Sequence, residues 1–311
     1  MSMKQRQGFT LIELMVVIAI IGVLAGLLLV ALGPARAAVR NYQCNYNLGE
    51  LAKGVQTFHT NKDRFPGSFE AAPTSSVHPF PWTVNLMPYV DEQTRFEGLR
   101  AAPDVGLNIT AGDTTDDPNQ QLLALLSIYY CPSDPDAIAG PHLNYVANMG
   151  RDDIELNGLS QPETRGNGVF FNRFGTNYPV TLKLDQVKDG AGQTILFTEN
   201  RDATQWNTVE LPGGAPNLIS EYHQGVLWFP TTSATTQELF NQNMGLNTPG
   251  PTYARPSSMH IGSFNVAFCD GSVKTISENI SPVIYRYMMT PIGDKANPQV
   301  IGVVNDSDLQ E

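Results

Sequence analysis

Charge is scarce in this chain, and positive charge scarcer still. Asp, Glu, Lys and Arg together make up 16% of its 311 residues, and 30 acids against 19 bases leave a formal net charge of −11. Such acidity argues against a nucleic-acid partner and favours a soluble, extracytoplasmic body. Three cysteines allow one disulfide at most, and with five histidines they show none of the paired spacings of a zinc module. Gly-x-Ser-x-Gly is absent, which removes the usual nucleophile turn of a serine hydrolase. No carboxylate run has the spacing of an EF-hand loop. There is no internal repeat, and no long linker that would separate independent domains. What abounds is glycine, proline, asparagine and threonine, the texture of a loop-rich β domain.

The long hydrophobic run is the exception to this polar texture. A short basic leader ends in Gly8-Phe9-Thr10-Leu11-Ile12-Glu13, and residues 14–32 then pass without one polar side chain. Those nineteen residues are long enough to cross a bilayer core as a helix. Glu13 stands at the mouth of the run, where an acid entering hydrocarbon costs a few kcal/mol unless it is paired (about 2.5–3.5 on insertion scales). In the first turn of a helix its charge suits the partial positive charge of the N-terminus. A secretory signal is cut after its apolar core; here the candidate cut precedes the run, which would remain as a permanent anchor. Lys4 and Arg6 favour a cytoplasmic leader, but Arg36 and Arg40 beyond the far end leave orientation unsettled by charge alone.

This arrangement resembles the class III signal of type IV prepilins and type II secretion pseudopilins. The resemblance implies that a prepilin peptidase cuts after Gly8 and N-methylates Phe9, and that the leader stays cytoplasmic. It also implies that Glu13 pairs with the methylated amine of a neighbouring subunit in a filament. Loss of Lys4 and Arg6 with the leader would take the charge from −11 to −13. The alternative, a plain anchor with an incidental acid, leaves the cost of that acid uncompensated.

Beyond the membrane segment, Gly33-Pro34 invites a kink, because proline removes a backbone donor. Cys44, Leu48, Leu51, Val55 and Phe58 then recur at four, three, four and three residues, drawing one apolar stripe along a helix. Asn45, Glu50 and Lys53 take other faces. The pattern stops at the turn-rich residues 62–67, so a helix over residues 9–61 would be about 80 Å long. Further on, residues 81–89 predict a turn and a helical piece, 99–119 a surface loop, and 122–130 a strand or short helix. Residues 144–148, 168–171 and 194–199 predict strands, and 212–256 an irregular insertion.

Residues 264–269 and 272–276 flank Asp270-Gly271, which predicts a hairpin with a two-residue type I′ turn, both turn positions having positive φ. His260 stands ten residues before Asp270. This His-x9-Asp-Gly pattern is similar to the signature of a large domain family of unknown function attached to prepilin-type anchors. Gln43-Cys44-Asn45-Tyr46-Asn47-Leu48, Cys131-Pro132-Ser133-Asp134 and Thr194-Ile195-Leu196-Phe197-Thr198-Glu199-Asn200 agree with the same family.

His260 and Asp270 with Ser257 or Ser258 could supply parts of a hydrolase triad, but no oxyanion-hole motif accompanies them and the turn already explains Asp270. The expected role is structural, with His260 bonding a backbone group or Asp270 at the hairpin's entry. Major pseudopilins bind calcium in a C-terminal loop, and Asp270, Glu278, Asp294, Asp113, Asp116 and Asp117 are the available oxygens; the simpler reading is solvated acids and no cofactor. If a disulfide forms, Cys44 and Cys131 are the expected pair, with Cys269 on the hairpin facing away from Val266 and Phe268. Free, buried cysteines are the alternative.

The expected fold is α+β and pilin-like: a long N-terminal helix packed on an antiparallel sheet with irregular insertions. The expected organisation is a leader over 1–8, a transmembrane or filament-core helix over 9–33, its amphipathic continuation over 34–62 and an extracytoplasmic α+β domain over 63–311. The expected function is that of a structural, non-enzymatic subunit of a type II secretion pseudopilus or type IV pilus-like fibre, anchored once in the inner membrane. Its partners would be the prepilin peptidase, other pilin-like subunits and the inner-membrane assembly machinery. A membrane-tethered binding module that never polymerises is the competing expectation.

Overall fold

The computed structural model describes residues 9–71, 79–101, 125–135, 142–151, 164–174, 180–203, 205–207, 224–228, 240, 254–296, 300 and 306–309. Its first element is the helix α1, Leu11–Lys62, which runs through Pro34 without interruption. The chain divides into two compact units, residues 1–42 and 43–311, so the second begins inside this helix. Every residue from Phe9 to Arg40 is exposed, including Leu27, Leu28, Leu29 and Val30. An unbroken apolar helix with no covering of its own requires a lipid or protein environment.

The second unit is built on the far half of α1. Its buried positions are Cys44, Asn47, Leu48, Leu51, Ala52, Gly54, Val55 and Phe58, which contain the whole expected stripe. The helix stops where Asp63 takes a left-handed φ of 54°; its carboxylate pairs there with Lys183. A left-handed residue in this place ends the helix while its own N–H still donates to the last turn, here from Asp63 to the His59 carbonyl at 2.7 Å. Two short strands follow, β1 at Phe69–Ala71 and β2 at Pro79–Pro81, paired antiparallel, then the helices α2 at Trp82–Leu86 and α3 at Gln93–Ala101. The expected loop over 99–119 thus begins inside α3, and the rest of it lies outside the described residues. Of the apolar segment at 122–130, the described part is a turn rather than a strand or helix.

The main sheet has five strands: β3 at Tyr145–Arg151, β4 at Ile195–Glu199, β5 at Gly225–Trp228, β6 at Ser263–Phe268 and β7 at Val273–Ser277. Their spatial order is β5-β3-β4-β6-β7. All pairs are antiparallel except β3 with β5, which is parallel and opposes Ala147 to Gly225. The fold is therefore α+β and pilin-like, with a mixed rather than wholly antiparallel sheet. β5 falls inside the stretch expected to be irregular; its Val226, Leu227 and Trp228 are buried, and burial outweighs the surrounding Gly and Pro. A final helix, α4 at Pro282–Met289, starts on Ser281, whose hydroxyl accepts from the Val283 N–H.

Two strand expectations are corrected. Residues 168–171 join no ladder. Instead the N–H groups of Val169 and Phe170 both donate to the Asn148 carbonyl. Gly150, at φ 87°, bulges β3 toward this segment, and the Cβ that an alanine would place at Gly168 falls 2.4 Å from the Gly150 Cα. Backbones this close leave no room for a side-chain layer, and the segment packs directly on β3 without extending the sheet. The hairpin of β6 and β7 also differs from expectation. Phe268 accepts from the Gly271 N–H and donates to the Ser272 carbonyl, and only Gly271 has positive φ, at 87°. That is a three-residue connection closed by a glycine bulge, not a two-residue type I′ turn. Asp270 is needed for its side chain rather than its φ, since its Oδ1 accepts from the Ser272 N–H at 2.8 Å and from the Ser272 hydroxyl at 2.6 Å.

Candidate functional site

At the N-terminus, Gly8 lies outside the described residues. Phe9 and Thr10 precede the helix, and Glu13 is its third residue. The Thr10 N–H and hydroxyl donate to Glu13 Oε2 at 2.9 and 2.7 Å, and the Glu13 N–H donates to the Thr10 hydroxyl at 3.3 Å. This is a capping box, in which two backbone donors that no helical turn can reach are satisfied reciprocally. The acid at the mouth of the apolar run thus has a local role that the sequence reading overlooked, although Thr-x-x-Glu ahead of a hydrophobic run is its recognisable signal.

In the body, four sequence fragments that are far apart in the chain meet at one buried cluster. Cys44 comes from α1, Cys131 from the turn after residue 130, Glu199 from the last position of β4, and His260 from the turn that leads into β6. The structure joins Cys44 and Cys131 in a disulfide that closes 87 residues of sequence. His260 Nε2 lies 3.3 Å from Glu199 Oε1 and 3.7 Å from Cys131 Sγ. Glu199 is 2% exposed, an uncommon position for a carboxylate, and the cluster supplies its hydrogen bonds. Asn265 donates its N–H to Oε2 at 2.9 Å and its side-chain amide to Oε1 at 3.3 Å, while the Thr275 hydroxyl donates to Asn265 Oδ1 at 2.7 Å.

The elements around the cluster are locked in the same manner. Asn144 accepts from the Cys131 N–H at 2.9 Å and donates to Asp134 at 2.6 Å, so the Cys-Pro-Ser-Asp turn is tied to the chain entering β3. Asn47, one turn along the helix from Cys44, donates to the carbonyls of Ser127 and Tyr130. Tyr145 bonds the Tyr130 carbonyl beside it, and burial together with the Glu199 charge pushes its phenol well above the ordinary tyrosine range. Ser258 accepts from the His260 N–H at 3.0 Å and donates to the Ser263 carbonyl at 2.7 Å, which fixes the turn carrying the imidazole.

His260 and Asp270 do not meet. They stand beyond opposite ends of β6, six residues and about 20 Å of strand apart. His260 faces Glu199, whereas Asp270 closes the hairpin. The triad considered from sequence is not assembled either, since Ser257 donates to Asn200 and Ser258 to a backbone carbonyl, neither to the imidazole. Cys269 is free and buried, and burial, followed by the neighbouring Asp270, pushes its thiol far above the ordinary range. β6 is buried on both faces, so the expected segregation of Cys269 from Val266 and Phe268 has no exposed side to express it.

Among the described residues, the group able to gather around a metal ion is Cys44, Cys131, Glu199 and His260. Asp270, Glu278 and Asp294 do not gather into such a group, and Asp113, Asp116 and Asp117 lie outside the described residues.

Comparison with known families gives two matches. Residues 3–29 match the prokaryotic N-terminal methylation motif, and residues 33–282 match the family described as protein of unknown function (DUF1559). Neither is an enzymatic family. Nothing matches among curated proteins or among solved structures. The first match makes the chain pilin-like, with a prepilin-type terminus processed by prepilin peptidase, and its exposed apolar helix fits a single-pass membrane anchor. The chain is a member of the DUF1559 family, carried behind a prepilin-type methylation motif.

Proposed function

We propose that the mature chain, beginning at N-methyl-Phe9, is a structural subunit of a type II secretion pseudopilus or type IV pilus-like fibre. The observation that carries this reading is the pairing of an exposed apolar helical segment with an acid at its first turn, inside a methylation motif. Lipid covers such a helix in the membrane, and neighbouring helices would cover it in a fibre core. Glu13 uses Oε2 for its own cap, and the Phe9 amine of an adjacent subunit would approach the same carboxylate in the fibre. The Cys44–Cys131 disulfide supports an extracytoplasmic body, because such bonds persist in oxidising compartments. The boundaries 1–8, 9–33, 34–62 and 63–311 describe the stages of this life: leader, anchor, connecting helix and displayed domain.

A Glu13 series tests the reading. Glutamine completes a capping box as glutamate does, but carries no charge. Expressed beside the cognate machinery, Glu13→Gln and Glu13→Ala are both expected to insert and to be cleaved to a Phe9 terminus, seen by mass spectrometry. Both are expected to lose sheared fibres. Wild-type fibre yield from Glu13→Gln would show that capping rather than charge pairing is required, and normal yield from both would remove Glu13 from assembly.

The competing reading, a tethered binding module, is favoured by one feature, a polar groove of about 360 Å³ bordered by Glu50, Lys53, Tyr89, Asp91, Glu92 and Ser127. Presence of the chain in membranes alone, never in sheared fibres, would select it.

A further inference from the structure

We propose that Cys44, Cys131, Glu199 and His260 bind Zn²⁺ when their disulfide is reduced, so that one buried cluster has two closed states, a disulfide and a metal centre. Zn²⁺ prefers four ligands drawn from thiolate, imidazole and carboxylate in a tetrahedron, with Zn–S near 2.3 Å and Zn–N or Zn–O near 2.0–2.1 Å. Such a tetrahedron sets its N and O ligands about 3.3 Å apart and its S and N ligands about 3.6 Å apart. The structure already holds Glu199 Oε1 and His260 Nε2 at 3.3 Å and Cys131 Sγ and His260 Nε2 at 3.7 Å. All four ligand atoms lie within 4.8 Å of one another. The two sulfurs, now bonded, must part to about 3.8 Å, and the remaining pairs close from within 4.8 Å to the tetrahedral spacing.

Three further observations favour this ligand class. The outer groups that orient metal ligands are in place, with Asn265 on the Glu199 carboxylate, Ser258 on the His260 turn and Asn144 on the Cys131 backbone. A cavity of about 10 Å³, the room of roughly one water-sized sphere, opens beside Cys131 and Glu199. The charge also balances. The neutral disulfide gives way to two thiolates and one Zn²⁺, whose charges cancel. Metal loading therefore adds no net buried charge, whereas an empty dithiolate would. Two sulfur ligands and an imidazole select zinc over calcium or magnesium, which take oxygen.

The conversion is a two-electron step. A dithiol reductant gives two electrons and two protons to the Cys44–Cys131 bond and becomes a cyclic disulfide, leaving two protein thiols. Zn²⁺ then displaces both thiol protons to solvent. On metal loading the Nε2 lone pair of His260 faces the metal and the ring proton sits on Nδ1.

The test uses the full chain in detergent, with Co²⁺ as the spectroscopic probe and Zn²⁺ as competitor. The oxidised chain is expected to give no thiolate-to-cobalt charge-transfer band. The chain reduced anaerobically is expected to bind one equivalent, with that band and tetrahedral visible absorption, both abolished by Zn²⁺. His260→Gln and Glu199→Gln, each first shown by near-ultraviolet circular dichroism to be folded in the oxidised form, are expected to weaken binding more than about 100-fold after reduction. Cys269→Ala is expected to bind as wild type. X-ray absorption of the zinc-loaded wild type, which needs no variant, is expected to show two sulfur and two nitrogen or oxygen neighbours. Any of three results overturns the proposal: equal binding by oxidised and reduced chain, unchanged binding in His260→Gln, or a reduced chain that takes up no metal, whether folded or not.

Discussion

Replacing both bridged cysteines, Cys44→Ala with Cys131→Ala, tests how much of the body's stability rests on tying α1 to the chain after residue 130. The bond closes a sequence separation of 87 residues. In the chain-entropy account, a loop of that length contributes about 4.5 kcal/mol by restricting the unfolded chain, within a measured range of about 2–5 kcal/mol for native bridges. Both cysteines are buried, so their sulfurs also leave packing defects worth roughly 1 kcal/mol. Asn47 still anchors the helix to the Ser127 and Tyr130 carbonyls, which limits local fraying. A loss of about 5.5 kcal/mol corresponds to a fall in melting temperature of roughly 11–22 °C at 2–4 °C per kcal/mol for a body of this size. The assay is thermal unfolding of the full chain in detergent, followed by near-ultraviolet circular dichroism. Wild type in reductant with a strong chelator should fall by the loop-entropy share alone, about 4.5 kcal/mol. Thiol titration of the oxidised wild type should find Cys269 as its free thiol. A fall under about 2 °C in both comparisons would refute the entropic argument, because neither side-chain substitution nor residual metal would then explain the bridge's silence.

The remaining predictions concern the hairpin, an ion pair and the leader. Gly271→Ala is expected to cost about 1–2 kcal/mol, because φ is 87° there and the new Cβ would meet Gln56 Nε2 at 2.6 Å. Asp270→Ala, losing the bonds to Ser272, is expected to cost about 1 kcal/mol; both are read as melting temperatures, and an unchanged Gly271→Ala would contradict the bulged turn. Glu70 is mostly buried, which raises its pKa, but the bidentate Arg64 pair at 2.7 Å and the Gly67 N–H outweigh burial and hold it below the ordinary glutamate value. A lowered folded pKa gives stability that is fully present above the unfolded value, about 4.3, and is lost as pH falls through the folded one. Glu70→Gln is therefore expected to be less stable at neutral pH and to show a flatter decline below about pH 4.3; a parallel decline would assign the acid sensitivity to other groups. Gly8→Leu is expected to leave the leader attached, because a side chain beside the scissile bond replaces a position with no Cβ, and mass spectrometry should then find no Phe9 terminus.

Local sequence determined what local physics controls. Nineteen apolar residues in a row, an acid at their mouth and the stripe Cys44, Leu48, Leu51, Val55 and Phe58 each point to α1, since helix period and membrane length are properties of consecutive residues. The strands at Tyr145–Arg151, Ile195–Glu199 and Ser263–Phe268 were legible for the same reason. The parallel strand β5 was not, because its apolar run is short and its partner β3 lies over seventy residues earlier. Turn chemistry was half legible: Asp270-Gly271 announced a hairpin, but only the ladder register placed the positive φ on Gly271 alone. The cluster was the least legible. The spacings that mark a zinc module fall within short windows, while Cys44, Cys131, Glu199 and His260 come from one helix, two turns and a strand end. Nothing in the linear order brings an acid at the end of an apolar strand against an imidazole 61 residues later. That meeting is decided by strand order and by the bridge from α1, because burial of a carboxylate is tolerable only where the fold delivers its partners.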